Sequence, residues 1–270
     1  MAVYAISDLH LSLATDKKMH VFGKEWENYE ENIKTNWLQI VKEDDFVLLP
    51  GDISWAKSMD EAYSDFAYLH ALPGTKLIVK GNHDYWWMTR SKMERFCAEH
   101  AFDSIRFVHN NCEIAERFVV CGTRGWMSES TSMQYTDHDR KVFQRELQRL
   151  RTSLEAGKQR IEEERQWIKE RQRTEEERQQ IETGTQRIEA GKQQIGAEQR
   201  LVVMLHYPPF DIAKEPSAFV SVLQEYGVKL CVYGHLHGER IKTSVSGCID
   251  GIEYQLISAD ALQFFPMKIS

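Results

Sequence analysis

Short runs of apolar residues punctuate the chain, each closing on a polar or glycine-containing cluster. Ala2 to Ile6, Phe46 to Leu49 and Leu77 to Val79 come first. Phe118 to Cys121, Leu201 to Leu205, Leu230 to Tyr233 and Tyr254 to Ile257 come later. Runs of this length with Gly or Pro just beyond predict buried strands. Between them, Glu25 to Val41, Met59 to Leu72 and Met88 to His100 carry amphipathic spacing and predict helices. Strand–helix alternation predicts an α/β fold, whose ligands belong at the carboxyl ends of the strands.

From about Arg140 to Arg200 the pattern changes. Glu, Arg, Gln and Lys dominate, proline is absent and large apolar residues thin out. That is a long-helix composition. Leu154-Glu-Ala-Gly-Lys-Gln-Arg-Ile161 returns as Ile188-Glu-Ala-Gly-Lys-Gln-Gln-Ile195. Seven-residue spacing joins Leu147, Leu154, Ile161 and Ile168, then Ile181, Ile188 and Ile195. This is a sparse coiled-coil seam, with one large residue per heptad instead of two. One helix from Glu155 to Gln199 would run ~68 Å, yet Leu201 to Leu205 must re-enter the core at once. The expectation is therefore a helical hairpin inserted at about 152–199 into a single domain spanning 1–270, with its turn near Arg171 to Glu176. Leu154, Ile161 and Ile168 would face Ile181, Ile188 and Ile195, and Gly157, Gly184 and Gly191 would let the arms approach. Such a projection is a place for self-association or a protein partner.

Composition narrows the class. Hydrophobic residues make up 42% and charged residues 28% of 270, which suits an ordinary globular protein. No apolar run approaches the ~20 residues of a membrane span, and no signal-peptide pattern precedes the first strand, so a cytoplasmic protein is expected. The net charge is −7. It provides no diffuse positive field to collect nucleic acid, so an anionic substrate needs local positive charge. Five scattered cysteines without CxxC spacing argue against a disulfide framework or a zinc knuckle.

Each strand-like run hands over to residues that ligate metals. Asp8-Leu9-His10 follows the first, Gly51-Asp52 the second and Gly81-Asn82-His83-Asp84 the third. His206 follows Leu205, and Gly234-His235-Leu236-His237 follows Tyr233. Singly these motifs are weak; Gly-Asp is usually a turn. Together, Asp8, His10, Asp52, Asn82, His206, His235 and His237 offer four imidazoles, two carboxylates and an amide oxygen, a set suited to two neighbouring cations. Four imidazoles disfavour Mg²⁺ and Ca²⁺ and favour Mn, Fe or Zn. Glycines at 51, 81 and 234 let these side chains crowd together.

The ordered blocks Asp-x-His, Gly-Asp, Gly-Asn-His-Asp, His and Gly-His-x-His resemble the calcineurin-like metallophosphoesterase superfamily, including bacterial members known only as predicted phosphohydrolases. The resemblance covers the chain apart from the helical stretch. It implies an α/β fold, a four-layer α/β/β/α metallophosphoesterase sandwich with a dinuclear centre at its rim. Asp8, His10 and His237 would hold one metal, Asn82, His206 and His235 the other, and Asp52 would bridge them. His83 would be the catalytic residue beside the metals, protonating a leaving group or binding phosphate. The implied reaction is hydrolysis of a phosphomonoester or phosphodiester by in-line attack of a hydroxide held by the metals, the substrate being a small phosphorylated compound. Phosphoprotein phosphatases of that superfamily carry Gly-Asp-x-x-Asp-Arg-Gly at the second block. This chain reads Gly51-Asp-Ile-Ser-Trp55-Ala56-Lys57, which argues against Ser/Thr protein phosphatase activity and leaves open what orients His83; Asp84 is a candidate.

Substrate contacts are less defined. Arg124, between Gly122 and Gly125, follows a strand and reads either as a phosphate-gripping residue or as a structural ion pair. Tyr85, Trp86 and Trp87 read as an aromatic wall or as core, and Tyr207 is equally open. The alternatives to a small-molecule phosphoesterase are a nuclease working with a partner and a non-catalytic interaction protein on the same fold.

Overall fold

A computed structural model describes residues 1–17, 19–131, 134–182 and 200–269. The first half of the chain forms β1 (Val3–Ala5), α1 (Tyr29–Ile40), β2 (Phe46–Pro50), α2 (Tyr63–Ala71), β3 (Thr75–Val79), α3 (Arg90–Glu99) and β4 (Ile105–Phe107). The second forms β5 (Glu113–Ala115), β6 (Phe118–Thr123), α4 (Asp137–Glu182), β7 (Arg200–Leu205), α5 (Ala218–Tyr226), β8 (Leu230–Tyr233), β9 (Gly247–Ile249), β10 (Ile252–Leu256) and β11 (Met267–Lys268).

Two sheets result. One runs β11-β1-β2-β3-β4 and the other β5-β6-β7-β8-β10-β9. Strands β1 to β4 pair in parallel, with β4 at an edge, and so do β6, β7, β8 and β10, while β11, β5 and β9 add antiparallel edges. Parallel strands buried on both faces are continuously apolar, which is why the short runs were legible.

Alternation along the strands divides the core into three. Val3, Ala5, Leu48, Leu77 and Val79 meet Val120, Val202, Met204 and Val232 between the sheets. Tyr4, Ile6, Val47, Leu49 and Ile78 turn the other way, onto Ile33 and Trp37 of α1, Phe66 of α2 and Met93 of α3. Val119, Cys121, Val203 and Leu205 face Phe143, Leu150 and Leu154 of α4 and Phe219 and Leu223 of α5. This is the expected four-layer α/β/β/α sandwich.

The helical stretch departs from expectation. α4 begins at Asp137 and runs unbroken to Glu182, so no turn forms at Arg171 to Glu176. Its first half belongs to the sandwich and not to an insertion starting near 152. Leu150 and Leu154 are fully buried, Leu147 and Ile161 pack beside them, and a Cβ on Gly157 would lie 2.6 Å from Cys121 Sγ. The heptad seam is real as a stripe, but Leu147, Leu154 and Ile161 use it on the sheet. Ile181 continues the same helix, and the remaining arm with Gly184, Ile188, Gly191 and Ile195 lies outside the described residues. Among the described residues no helix is long and apolar enough to cross a membrane.

Candidate metal centre

The parallel strands of both sheets end at one rim, and the loops that leave them bring the seven candidate ligands together. Asp8 Oδ1 lies 3.2 Å from His237 Nε2 and 3.8 Å from His206 Nδ1. Asp52 Oδ2 lies 3.4 Å from His206 Nε2 and 3.8 Å from His10 Nε2. Asn82 Oδ1 lies 2.6 Å from His206 Nε2 and 2.9 Å from His235 Nδ1. Ligand atoms of Asp8, His10 and His237 fall within 4.8 Å of one another, as do those of Asp8, Asp52 and His206. Asp52 therefore stands between the two groups of imidazoles.

The backbone is bent to achieve this. Asp8, His10, Asp52 and His235 all have left-handed φ, between 47° and 72°. That conformation is unfavourable for residues with a Cβ and concentrates at functional sites. Cross-loop hydrogen bonds hold it: Asp8 N–H to Gly51 O at 3.0 Å and His10 N–H to Asp52 O at 2.9 Å. Close approach demands the glycines. A Cβ on Gly81 would lie 2.1 Å from both Asp52 N and Oδ1, and one on Gly234 would lie 2.2 Å from Asp8 Oδ2.

Asp84 anchors these loops instead of orienting His83. Its Oδ2 accepts N–H bonds from Gly81 (2.7 Å) and Asp52 (3.0 Å). Its Oδ1 accepts from Ile53 (2.8 Å), Ser54 (3.3 Å) and the Trp86 indole (3.0 Å). The ring of His83 is held by Trp55. The two centroids are 4.4 Å apart, and the same indole stacks on His10 at 5.0 Å. Lys17 Nζ also lies over that indole, 4.4 Å from its centroid. Trp55 thus packs against both the His83 and His10 rings.

Charge and proton inventory test whether cations fit. Burial holds His206 down to about 4, and burial with the neighbouring His206 holds His235 down to about 3; burial also lowers His10. These are neutral imidazoles with lone pairs to give. His206 Nδ1 donates to Pro50 O at 3.1 Å, which turns its Nε2 lone pair toward the Asn82 and Asp52 oxygens. Acceptors so placed repel one another unless a cation sits among them. At His237 burial opposes protonation, but Asp8 and Asp260 outweigh it and push the imidazole up to about 10. A proton there does the work of a positive charge. His10 Nδ1 and His237 Nε2 are buried without a hydrogen-bond partner among the described residues. The donor set fits metal ions.

Arg124 makes an ion pair within the fold. Its guanidinium pairs with buried Glu146 at 3.2 Å and lies 4.4 Å over Trp126. Glu146 also takes Arg149 at 2.7 Å and the Thr123 hydroxyl at 2.6 Å, so the ion pair ties β6 to α4. Trp86 is core, 1% exposed, whereas Tyr85 is 61% exposed beside His83. Tyr207 is buried with its ring 4.1 Å from His235. Sequence reasoning missed Asp260, which accepts from His237 Nδ1 at 2.8 Å and holds the ring so that Nε2 faces Asp8. Its signal was its place: a carboxylate just past the last strand-like run, like Asp8 and Asp52.

Fold and site together make a double-sheet α/β sandwich with a carboxylate–imidazole cluster at its rim. The profile of the calcineurin-like phosphoesterase family matches residues 1–239, and the chain belongs to that family. Among solved structures, a phosphopantetheinyl hydrolase from Mycobacterium tuberculosis is similar at 12% identity and TM-score 0.51, over 99% of this chain and 95% of that one. A protein of unknown function from Aquifex aeolicus is similar at 15% identity and TM-score 0.47, over 99% and 95% of the two chains. A protein from Thermus thermophilus shares 15% identity at TM-score 0.43, over 87% and 81%. The first of these similarities shows the fold. No curated protein matches the chain.

Proposed function

We propose that the protein is a dinuclear metal-dependent hydrolase of phosphomonoesters or phosphodiesters. The convergence of Asp8, Asp52, Asn82 and four neutral or partner-stabilised imidazoles at the shared rim carries this reading. Asp8, His10 and His237 would hold one ion, Asn82, His206 and His235 the other, with Asp52 bridging; Mn, Fe or Zn suits the imidazoles. When bound, the ions would supply Lewis-acid neutralisation of phosphoryl oxygens and make water acidic enough to ionise near neutrality.

The chain's own groups supply the rest. His83 is the one imidazole of the cluster outside both ligand sets, with Nε2 4.0 Å from Asp52 Oδ2 and a side chain 34% exposed. It can reach a substrate and deliver a proton to the leaving-group oxygen, a contribution of ~10²–10⁴ in rate. Its backbone N–H donates to Asp52 Oδ1 at 2.8 Å, which leaves Oδ2 of Asp52 directed into the cluster. Asp260 orients His237, and Trp55 fixes the His83 ring. Five unpaired cysteines suit a reducing, cytoplasmic setting.

Metal analysis with turnover of bis-p-nitrophenyl phosphate and p-nitrophenyl phosphate tests the proposal. Two equivalents of metal and metal-dependent turnover are expected, and Asp52→Asn is expected to lose turnover and metal while keeping its fold. One equivalent in fully active protein, or full activity in Asp52→Asn, overturns it.

A further inference from the structure

A cavity of about 400 Å³ opens directly beside the cluster. His235 belongs to both: its Nδ1 faces Asn82, and its ring forms part of the cavity wall. Tyr207, 4.1 Å from that ring, continues the wall, and Phe210, Tyr233, Leu236 and Val245 make the lining mainly apolar, with serine and threonine side chains completing it. Asp211 also lines it, but its Oδ1 is engaged by the Ala213 and Glu215 N–H groups, each at 2.9 Å. At the rim stands Arg240, exposed and with no carboxylate ion-paired to it among the described residues.

We infer that this cavity receives the organic group of the phosphoester, and that the substrate class is a phosphoester carrying an apolar group of ring-system size rather than a simple sugar or methyl phosphate. The inference rests on the phosphoesterase reading of the cluster. A phosphoryl group at the cluster directs its ester substituent outward, and the apolar wall begins at a cluster residue. Space decides the size: a cavity of ~150 Å³ holds a benzene ring, so this one takes two fused rings or a chain of like bulk. Arg240 at the mouth adds the positive charge that Arg124, engaged by Glu146, does not bring, and it favours the phosphoryl end of such a ligand.

The test uses the full chain loaded with metal. Calorimetry compares methylphosphonate with 2-naphthylmethylphosphonate, and turnover compares the methyl and 2-naphthyl esters of p-nitrophenyl phosphate, which share one leaving group. The naphthyl compounds are expected to bind, and to be turned over in kcat/KM, at least about tenfold better, the scale of discrimination an apolar pocket gives. Val245→Trp, or Thr243→Trp at the mouth should the first fold poorly, is expected to erase that ratio with metal content unchanged. Arg240→Gln is expected to weaken both phosphonates alike. Equal binding of the two phosphonates, or a ratio that survives both tryptophan variants, overturns the pocket. Absence of turnover on both esters and on p-nitrophenyl phosphate overturns the hydrolase reading, while the phosphonate binding still decides what the cavity accepts.

Discussion

Substituting Asp84 by Asn separates an anchor from an orienting residue. The carboxylate accepts five buried N–H groups, two on Oδ2 and three on Oδ1. Asparagine has nearly the same shape but only one acceptor oxygen. Whichever way it sits, its amide nitrogen faces either the Gly81 and Asp52 donors or the Ile53, Ser54 and Trp86 donors. At least two bonds to a charged acceptor are lost, at about 1.5–3 kcal/mol each, or about 3–6 kcal/mol in all. Against a typical stability of about 5–15 kcal/mol this is severe. The bonds also fix the loops that carry Asp52 and Asn82, so metal content is expected to fall with stability. Urea unfolding at pH 8 and metal analysis of the same samples would measure both. A residue that merely oriented His83 would lower kcat and leave the unfolding midpoint in place. Asp84→Asn within about 1 kcal/mol of the parent, with both metals retained, refutes the anchor.

Lys76, fully buried, donates to Leu72 O and to Ser104 Oγ at 3.2 Å, and burial depresses it to about 8 from 10.5. Below that value both folded and unfolded states hold the proton and the desolvation penalty is complete. Between about 8 and 10.5 the unfolded chain binds more protons, so this residue's contribution to stability rises with pH, by about 3 kcal/mol in all. Lys76→Met is expected to flatten that rise in denaturation curves, and an identical slope in the variant refutes it. Trp55→Ala is expected to slow alkyl esters about tenfold more than nitrophenyl esters, whose leaving group needs no proton, with Trp55→Phe restoring the difference; equal losses on both refute a positioning role. Arg165 and Arg200 line one cleft, so replacing 167–198 by a short Gly-Ser bridge is expected to preserve metal content and small-ester turnover, and loss of the metal would make the distal helix part of the site.

Much of this was written in short-range pattern. The inner parallel strands are largely buried apolar runs, and their polar ends place ligands at the rim because parallel strands all point one way. The sandwich follows from Val3/Ala5 facing opposite to Tyr4/Ile6, an alternation any buried strand between two layers must show. β4, β5, β9 and β11 span two or three residues each, too short for periodicity to register. α4 misled because a heptad stripe is indifferent to its partner: Leu147, Leu154 and Ile161 satisfy a sheet as readily as a second helix. Trp55 and Asp260 escaped for a different reason. Each acts on a histidine far away in sequence, and only folding reveals the pairing.

The rim has a consequence for how the protein is made. Asp8, His10, Asp52, Asn82 and His83 leave the ribosome with β1 to β3 of the first sheet, but His206, His235 and His237 belong to the second, and roughly 120 residues separate Asn82 from His206. At about 5–20 residues per second, translation spends on the order of ten seconds on that interval. During it the nascent chain displays two carboxylates, an amide and one or two imidazoles, a set that would exchange cations freely because the remaining nitrogens have not arrived. Occupancy would become lasting only when the second sheet closes on the first. On the proposed reading, metal loading would be deferred to the last stage of assembly, where it would act as a latch on a finished sandwich and not as a seed for it.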